Sequence, residues 1–270
     1  MKIMRQLLPL VLILFAVTGM AKENELITKE LQVSTFDAID AECVDVYVTV
    51  GAPTGILSVS ASPKVMRNFS ARVEDNELKI TCLKEDSNIS FKSLFKNDKR
   101  PVVRITVPSL REIDAELSSK IVVDKSLSVN NIEIACETSS SVKVPGIIAT
   151  GAVELKSETS SAVNIDALSA YAVEAKCETS STLSIGSLKA SVAELKAETA
   201  STIKVADINV ETLEADAETA STIKAVAGRV KYGEFSAETA SQVNFEGVSI
   251  AGGSSESDTA GKVKAKFGTR

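Results

Sequence analysis

The chain contains no histidine and no tryptophan, and aromatic residues make up only 4% of it. Without histidine the protein lacks the commonest general base and a frequent metal ligand. Few aromatic rings also leave a poor supply for the stacking platforms on which many sugar-binding sites rely. Most acid–base and zinc chemistry therefore loses its usual groups, and the composition favours a protein that is not an enzyme and holds no cofactor or metal.

Basic residues are also outnumbered, with 30 Lys and Arg against 36 Asp and Glu. Residues 1–21 read as an export signal: Lys2 and Arg5 precede an apolar run over 7–18, and small residues lead to a cleavage site after Ala21. Removing two basic residues changes the net charge from −6 to −8. This balance argues against nucleic acid as a partner.

Long apolar runs are missing after the leader, so the sequence predicts no transmembrane segment. The first cysteine is Cys43, too late in the chain for a lipoprotein anchor. We therefore expect an exported protein, located in the periplasm, on the outer-membrane surface or outside the cell. The sequence predicts nothing about its oligomeric state.

What the chain does contain is an internal repeat. Variants of Cys-Glu-Thr-Ser-Ser or Ala-Glu-Thr-Ala-Ser follow one another at spacings of 20 or 21 residues, and the copies begin at 136, 157, 177, 197, 217, 237 and 257. Each unit alternates apolar and polar residues, which is the period of a β-strand. A strict period of this length predicts one supersecondary unit stacked on itself. The expected fold is all-β, a right-handed parallel β-helix (β-solenoid) with coils of about 20 residues.

Stacked coils place equivalent residues in columns. The alternation predicts an apolar inward column that includes Ile203, and an inward column of small residues that includes Cys177 and Ala197. It also predicts that the threonines of the repeat, such as Thr199, stack inward as a hydroxyl ladder. Outward, the pattern predicts a glutamate column with lysines two positions earlier. That column reads either as a solvated face of mixed charge, which we favour, or as a cation-binding stripe. Its glutamates are Glu137, Glu158, Glu178, Glu198, Glu218 and Glu238.

Residues 22–113 precede the repeat coils of 114–270, and their alternating runs predict a β region continuous with the solenoid. Between two of these runs lies a polar, basic segment that contains three large apolar residues. It is the candidate partner contact of the chain, and the alternative is that it caps the open end of the solenoid. The candidate contact residues are Phe91, Leu94, Phe95, Lys92 and Lys96.

Several runs taken together resemble a known family over about residues 31–270. These are Phe36-x-x-Ile39, then Leu78-x-Ile80, then Val103-x-Ile105-x-Val107-Pro108-x-Leu110-x-x-Ile113, followed by the 20-residue coils. The chain resembles the putative autotransporter adhesin family with the head GIN domain. The resemblance implies a right-handed β-helix at the envelope of Gram-negative bacteria, without catalytic residues to carry over. The family's turn usually reads Ser-Gly-Ala-Ser, so the Thr that replaces Gly here departs from the pattern.

Four cysteines in an exported chain raise the question of disulfides. Cys136 and Cys177 fall two coils apart in one column, roughly 9.6 Å, which is too far for a bridge. Cys43 and Cys82 are left as a pair that either forms a disulfide or stays reduced.

Two functional hypotheses remain. The first is a non-catalytic surface or periplasmic binding protein, an adhesin that recognises a surface protein or a glycan. The second is a carbohydrate-active β-helix enzyme, either a polysaccharide lyase or a hydrolase. An enzyme would gather carboxylates, arginine and aromatic residues in one groove, whereas Asp166, Asp207, Asp216, Arg229 and Tyr232 are scattered over the repeats. The sequence favours the binding protein.

Overall fold

A computed structural model describes residues 25–83, 91–95 and 98–268. The predicted export signal over 1–21 lies outside these residues. The N-terminal part contains eight strands and two short helices: β1 (Ile27–Gln32), β2 (Ala38–Glu42), β3 (Asp45–Val50), β4 (Ile56–Ala61), α1 (Pro63–Asn68), β5 (Ser70–Glu74), β6 (Glu77–Thr81), α2 (Phe91–Leu94), β7 (Val102–Val107) and β8 (Glu112–Glu116).

The remainder of the described chain is built from strands alone. They are β9 (Lys120–Val123), β10 (Leu127–Val129), β11 (Ile132–Cys136), β12 (Ser141–Ala149), β13 (Ala152–Ser157), β14 (Ala162–Cys177), β15 (Thr182–Ala197), β16 (Thr202–Ala217), β17 (Thr222–Ala237), β18 (Gln242–Asn244), β19 (Val248–Ser257) and β20 (Lys262–Lys264).

These strands wind into a β-solenoid of about eight coils. In the central coils each of β14 to β17 makes one circuit, and it pairs in parallel with the next strand at an offset of 20 residues. Burial alternates along each circuit and is interrupted at the corner residues 166–167 and 171–172 of β14. The predicted parallel β-solenoid is therefore confirmed. Successive circuits keep the same register because the inward residues fill the interior only in that register.

The interior consists of the predicted apolar columns. Ile203 is fully buried, with Leu183 and Ile223 as its register partners in the coils on either side. The small-residue column is likewise buried at Cys177, Ala197 and Ala217. Each coil buries residues of similar size in similar places, so side chains pack along the axis as well as across it.

The turn between repeats differs from the prediction. Thr199 is exposed, with φ at 47°, and Ala200 follows with φ at 60°. The predicted inward threonine ladder is therefore wrong: two successive residues in the left-handed region form the turn, and inward alternation resumes at Ser201. The alternation of the strands could not reveal this turn. After a turn of two residues, odd-numbered positions such as Ser201 still face inward and even-numbered positions still face outward.

The buried hydroxyl ladder is made by the last serine of each repeat. Ser201 Oγ donates to the carbonyl oxygen of Cys177 at 2.7 Å, and Ser221 Oγ donates in the same way to that of Ala197. These bonds tie each turn to the preceding coil and satisfy a polar group inside the core. The equivalent buried serines are Ser119, Ser140, Ser161, Ser181, Ser201, Ser221 and Ser241.

A bond between turns offsets the strain of the left-handed residues. The Ala200 N–H donates to the Thr219 carbonyl at 2.9 Å, and the Ala220 N–H donates to the Thr239 carbonyl at the same distance. Thr199 keeps the left-handed conformation although it is not a glycine. The turn is thus specified by stacking rather than by glycine.

We expect Ala200→Gly to stabilise the protein by roughly 0.5 kcal/mol, because glycine adopts positive φ without the Cβ clash. Glycine also keeps the N–H that donates to the Thr219 carbonyl of the next turn. The measurement is the free energy of unfolding in urea. Ala206→Gly is the matched control, since Ala206 lies in a strand and has no positive φ. A stabilisation of equal size in the control would contradict the strain argument.

The N-terminal strands join the same sheet system. β2 pairs in parallel with β6 and β8, and β3 pairs in parallel with β7 and β9. β1, β4 and β5 instead make antiparallel pairs at this end. The pairing of β3 with β9 joins residues on the two sides of residue 113, and the division into a β region over 22–113 and repeat coils over 114–270 stays a prediction. In the described part of the chain, neither helix has the length or apolar character needed to span a membrane.

Candidate binding faces of the solenoid

The segment predicted to contact a partner is held by α1 and by the core. Lys64, in α1, donates from Nζ to the carbonyl oxygens of Ser93 at 2.8 Å and Leu94 at 3.0 Å, at the end of α2. Leu94 is fully buried in the main core, and Phe95 is partly buried against it. Leu94 therefore has no surface to offer a partner in this conformation.

The other candidate contact residues are less informative. The side chains of Phe91 and Lys92, and the whole of Lys96, lie outside the described residues. Partner contact through Phe95 and these residues stays a prediction. The burial of Leu94 and the contacts of Lys64 are those expected of a segment that covers the end of the solenoid.

The most extended charged surface is formed by the end of each circuit, and we call it the glutamate face. It contains two parallel glutamate columns, one at the positions equivalent to Glu174 and one at the positions equivalent to Glu178. Sequence analysis identified the second column and missed the first, although a glutamate recurs four residues before it in most repeats. The first column is Glu112, Glu133, Glu154, Glu174, Glu194, Glu214 and Glu234, one residue per coil.

Three lysines stand between the two glutamate columns. Lys156 Nζ lies 3.0 Å from Glu133 and 2.7 Å from Glu154 of the first column. Lys196 Nζ lies 3.2 Å from Glu198 and 3.3 Å from Glu218 of the second column.

Lys176 contacts the second column as well, at 2.5 Å from Glu178 and 3.8 Å from Glu198. The prediction that a lysine row relieves repulsion in the second glutamate column is therefore confirmed for Lys176 and Lys196, whereas Lys156 pairs with the first column.

The lysine column becomes acidic on either side of these coils. Asp114 takes the equivalent position near the N-terminal end, and Asp216 takes it one coil after Lys196. Burial, reinforced by Glu112 and Asp40, raises the pKa of Asp114 to about 7. Burial and Glu214 raise the pKa of Asp216 to about 6. Both carboxyl groups lie among other carboxylates, and no neighbouring lysine cancels the rise in their pKa.

One group of these carboxylates approaches the spacing of a cation site. Oxygen atoms of Glu77, Glu112 and Asp114 all lie within 4.8 Å of one another, and all three residues are half-buried. Hard cations such as Ca²⁺ take carboxylate oxygens of this kind. The pairing of β2 with β6 and β8 is by itself enough to bring these carboxylates together. Among the described residues, the group contains no buried side chain that lacks a partner. It therefore carries no metal assignment.

The raised pKa of Asp114 has a consequence for stability. Its ordinary pKa is 3.8 and its folded pKa about 7, so the folded protein holds a proton that the unfolded chain releases. Between pH 4 and 7 the free energy of unfolding should therefore fall as pH rises. We expect Asp114→Asn to remove roughly 1–2 kcal/mol of this fall, after allowance for solvent screening.

Urea unfolding at pH 4.5 and pH 8 measures this effect. Asp207→Asn is the matched control, because Asp207 is exposed on another side of the solenoid. Equal pH dependence in the wild type and the Asp114 variant would contradict the assignment of Asp114.

A second surface, the lysine face, is formed by the start of each circuit. It consists of two outward positions at the start of each of the strands β9, β12, β14 to β18 and β20. None of these sixteen positions carries an acidic residue. No ion pair in the described part of the chain involves its lysines. They are exposed, and they are Lys120, Lys143, Lys204, Lys224, Lys262 and Lys264.

Beside the lysine face runs an open depression of about 480 Å³. Lys204 and Lys224 form part of its lining, together with the polar side chains of Asn164 and Ser184. Its lining contains a single carboxylate, that of Asp166. Gly186, Ala206 and Val226 occupy the corner that the depression follows. Small residues at successive corners leave this space open.

The four cysteines are buried free thiols. Cys43 and Cys82 directly follow the last register pair of β2 and β6, so they lie side by side in adjacent strands. The hydrogen bond between the two thiols, together with burial, raises the pKa of Cys82. Of the two alternatives that the sequence left open for Cys43 and Cys82, the structure holds the reduced pair. Cys136 and Cys177 fill the small-residue column as expected, and burial raises the pKa of Cys136 to about 11.

The chain resembles known proteins in both sequence and fold. The sequence profile described as "Putative auto-transporter adhesin, head GIN domain" matches residues 35–205. No curated protein matches the chain.

Solved structures share the fold at low sequence identity. A putative adhesin from Bacteroides fragilis NCTC 9343 is 16% identical, with a TM-score of 0.61 and coverage of 87% of this chain and 97% of that one. A putative adhesin from Parabacteroides distasonis ATCC 8503 is 14% identical, with a TM-score of 0.65 and coverage of 91% and 96%. A protein from the same organism, described as a putative lipid binding protein, is 15% identical, with a TM-score of 0.62 and coverage of 89% and 97%.

Proposed function

Because the chain belongs to the family of the "putative auto-transporter adhesin, head GIN domain", we propose that it is an exported, non-catalytic binding protein of the bacterial envelope. It acts at the cell surface or in the periplasm and recognises a surface protein or a glycan. The charged and apolar pattern of residues 1–21, which predicts an export signal, supports the location.

The observation that carries the proposal is the regularity of the outward faces. The four circuits β14 to β17 repeat the same outward positions at an offset of 20 residues, so each position recurs about every 4.8 Å along the axis. A flat surface of this kind offers many equivalent weak contacts, and these add up only against a partner that is itself extended.

The charge pattern supports binding over catalysis. Glycoside cleavage needs two carboxylates across a groove, one of them held protonated by its surroundings. The open depression is lined by one carboxylate and two lysines, while the raised pKa values of Asp114 and Asp216 belong to the flat glutamate face. The carbohydrate-active enzyme therefore remains the weaker candidate.

Purified residues 22–270 test the proposal when they are applied to a glycan array and to a pull-down against surface-labelled bacterial envelope fractions. We expect saturable binding, and no release of reducing ends or unsaturated sugars from polysaccharides with or without calcium. Turnover that is lost on changing a single Asp or Glu would replace the proposal with the enzyme. Retention of the full chain in the cytoplasm of a Gram-negative host, with residues 1–21 uncleaved, would overturn the location.

A further inference from the structure

The lysine face differs from every other outward surface of the repeat coils in its charge. At the start of each circuit, the two outward positions that form this face carry six lysines and no acidic residue. The glutamate face, by contrast, presents two columns of seven glutamates, from Glu112 to Glu234 and from Glu116 to Glu238, with three lysines between them. Opposite charges are thus separated onto different sides of a chain whose overall charge is negative.

The lysines of this face are available to a ligand. The glutamate-face lysines Lys156, Lys176 and Lys196 are each bound to carboxylates of their own chain. Lys204 and Lys224, in contrast, are exposed and make no ion pair with any described residue. They are register partners in neighbouring strands, so their attachment points lie about 4.8 Å apart. Two free ammonium groups at this spacing favour an anionic ligand.

The depression beside these lysines has the form of a binding groove. Its polar lining includes Asn164 and Ser184, which can hydrogen-bond hydroxyl groups, and its corner residues Gly186 and Ala206 leave room for a ligand. Val226 adds an apolar side chain that is 57% exposed. The groove combines two lysines, which outnumber the single carboxylate of Asp166, with hydrogen-bonding side chains and a small apolar surface, and it crosses several coils.

We infer that the depression and the adjoining lysines bind an acidic polysaccharide, a glycan with one carboxylate on most of its sugar units. This inference rests on the proposed binding function and names its ligand class and site. The coil spacing is comparable with the length of one sugar unit in an extended chain, so successive carboxylates can meet successive coils. Each contact is a charge-assisted hydrogen bond from lysine to a carboxylate.

The chemistry of the groove favours this ligand over neutral glycans and over lipids. Neutral sugars are usually held by stacking on aromatic rings, and no aromatic residue lines the depression. An anionic membrane is a broad negative surface, and the net charge of the whole chain opposes approach to it. A slender polyanion reaches the lysines while it stays distant from the glutamate face.

The experiment measures binding of polygalacturonate, and of the same polymer with its carboxylates methyl-esterified, to the protein of residues 22–270 by titration calorimetry. We expect binding of the acidic polymer only. The double variant K204Q/K224Q should bind about tenfold more weakly, and the dependence of log Kd on log salt should fall by roughly one to two.

The matched control is K189Q/K231Q, which removes the same charge from two exposed lysines outside the depression. It should bind as the wild type does. Ala206→Leu keeps all charges but fills the depression from an exposed position, and it should also weaken binding. The thermal unfolding midpoint of each variant verifies folding, so that weakened binding reports the site.

Five outcomes would overturn the inference. Equal loss in K189Q/K231Q would mean general charge attraction rather than a site, and unchanged binding in K204Q/K224Q would place the glycan elsewhere. Binding of phosphatidylglycerol vesicles, but not polygalacturonate, through Lys204 and Lys224 would make a lipid the ligand. Absence of any acidic polysaccharide binding, while an envelope partner is captured, would reject this ligand and leave the proposed function standing. Absence of every partner would reject both.

Discussion

Replacing Ile203 with lysine is expected to prevent the central coils from packing. Ile203 is fully buried, with Leu183 and Ile223 as its register partners in the coils on either side. An unpaired ammonium group at this position costs several kcal/mol or more, a large share of the roughly 5–15 kcal/mol that stabilises a typical domain. We expect no cooperative unfolding transition by circular dichroism, or a midpoint far below that of the wild type.

Two further variants make this prediction specific. Thr202→Lys introduces the same charge one position earlier, on the outward side of the same strand, and should unfold within about 0.5 kcal/mol of the wild type. Ile203→Ala should remain folded and lose about 2–5 kcal/mol. A cooperative, near-native transition in Ile203→Lys would show that Ile203 does not face the core.

Truncation of Phe245 to alanine is expected to give the second large effect, a loss of about 3–5 kcal/mol. Phe245 is the largest of the fully buried side chains. Its ring centroid lies 4.9 Å from that of Phe235, which in turn lies 5.9 Å from that of Phe267. These three rings fill the last described coils, where the columns of similar aliphatic residues come to an end.

Glycine makes room for this cluster. A Cβ added at Gly233 would lie 2.6 Å from the ring of Phe235. Position 233 must therefore lack a side chain for the aromatic ring to fit. Removal of the Phe245 ring therefore leaves a cavity that neighbouring coils cannot easily fill, and the stacked coils next to it lose a shared interface.

Urea unfolding combined with amide hydrogen exchange measures this loss. We expect the fastest gain in exchange in the strands that contact Phe245, with smaller changes in the N-terminal coils. Tyr232→Ala is the control, because Tyr232 is 44% exposed and its loss should cost about 0.5 kcal/mol or less. Uniform exchange changes along the whole chain would contradict a local role for the cluster.

Separation of charge on this solenoid follows from its repeat. A substitution at an outward position adds one charge to a column, and neighbouring coils carry equivalent positions about 4.8 Å away. The glutamate face offsets part of its repulsion with Lys156, Lys176 and Lys196. The lysine face has no such partners among the described residues, and that difference is the reason to seek a ligand there.

The sequence by itself determined the architecture and the main core. A 20-residue period with strand alternation leaves little except a parallel β-solenoid, and it also placed Ile203 and Cys177 inward. These features depend on local alternation and on strict repetition, both of which are visible in one dimension. The lysine row beside the glutamate column was predictable for the same reason.

Only the tertiary structure decided which hydroxyl is buried, where Leu94 packs, and which charges meet. Thr199 and Ala200 take left-handed backbone conformations that alternation cannot register, so the ladder belongs to Ser201 and its equivalents. Leu94 enters the core through contacts distant in sequence. Asp40, Glu77 and Asp114 come together because β2 lies between β6 and β8. Such proximity arises when separate segments become neighbouring coils, and sequence spacing alone carries no measure of that distance.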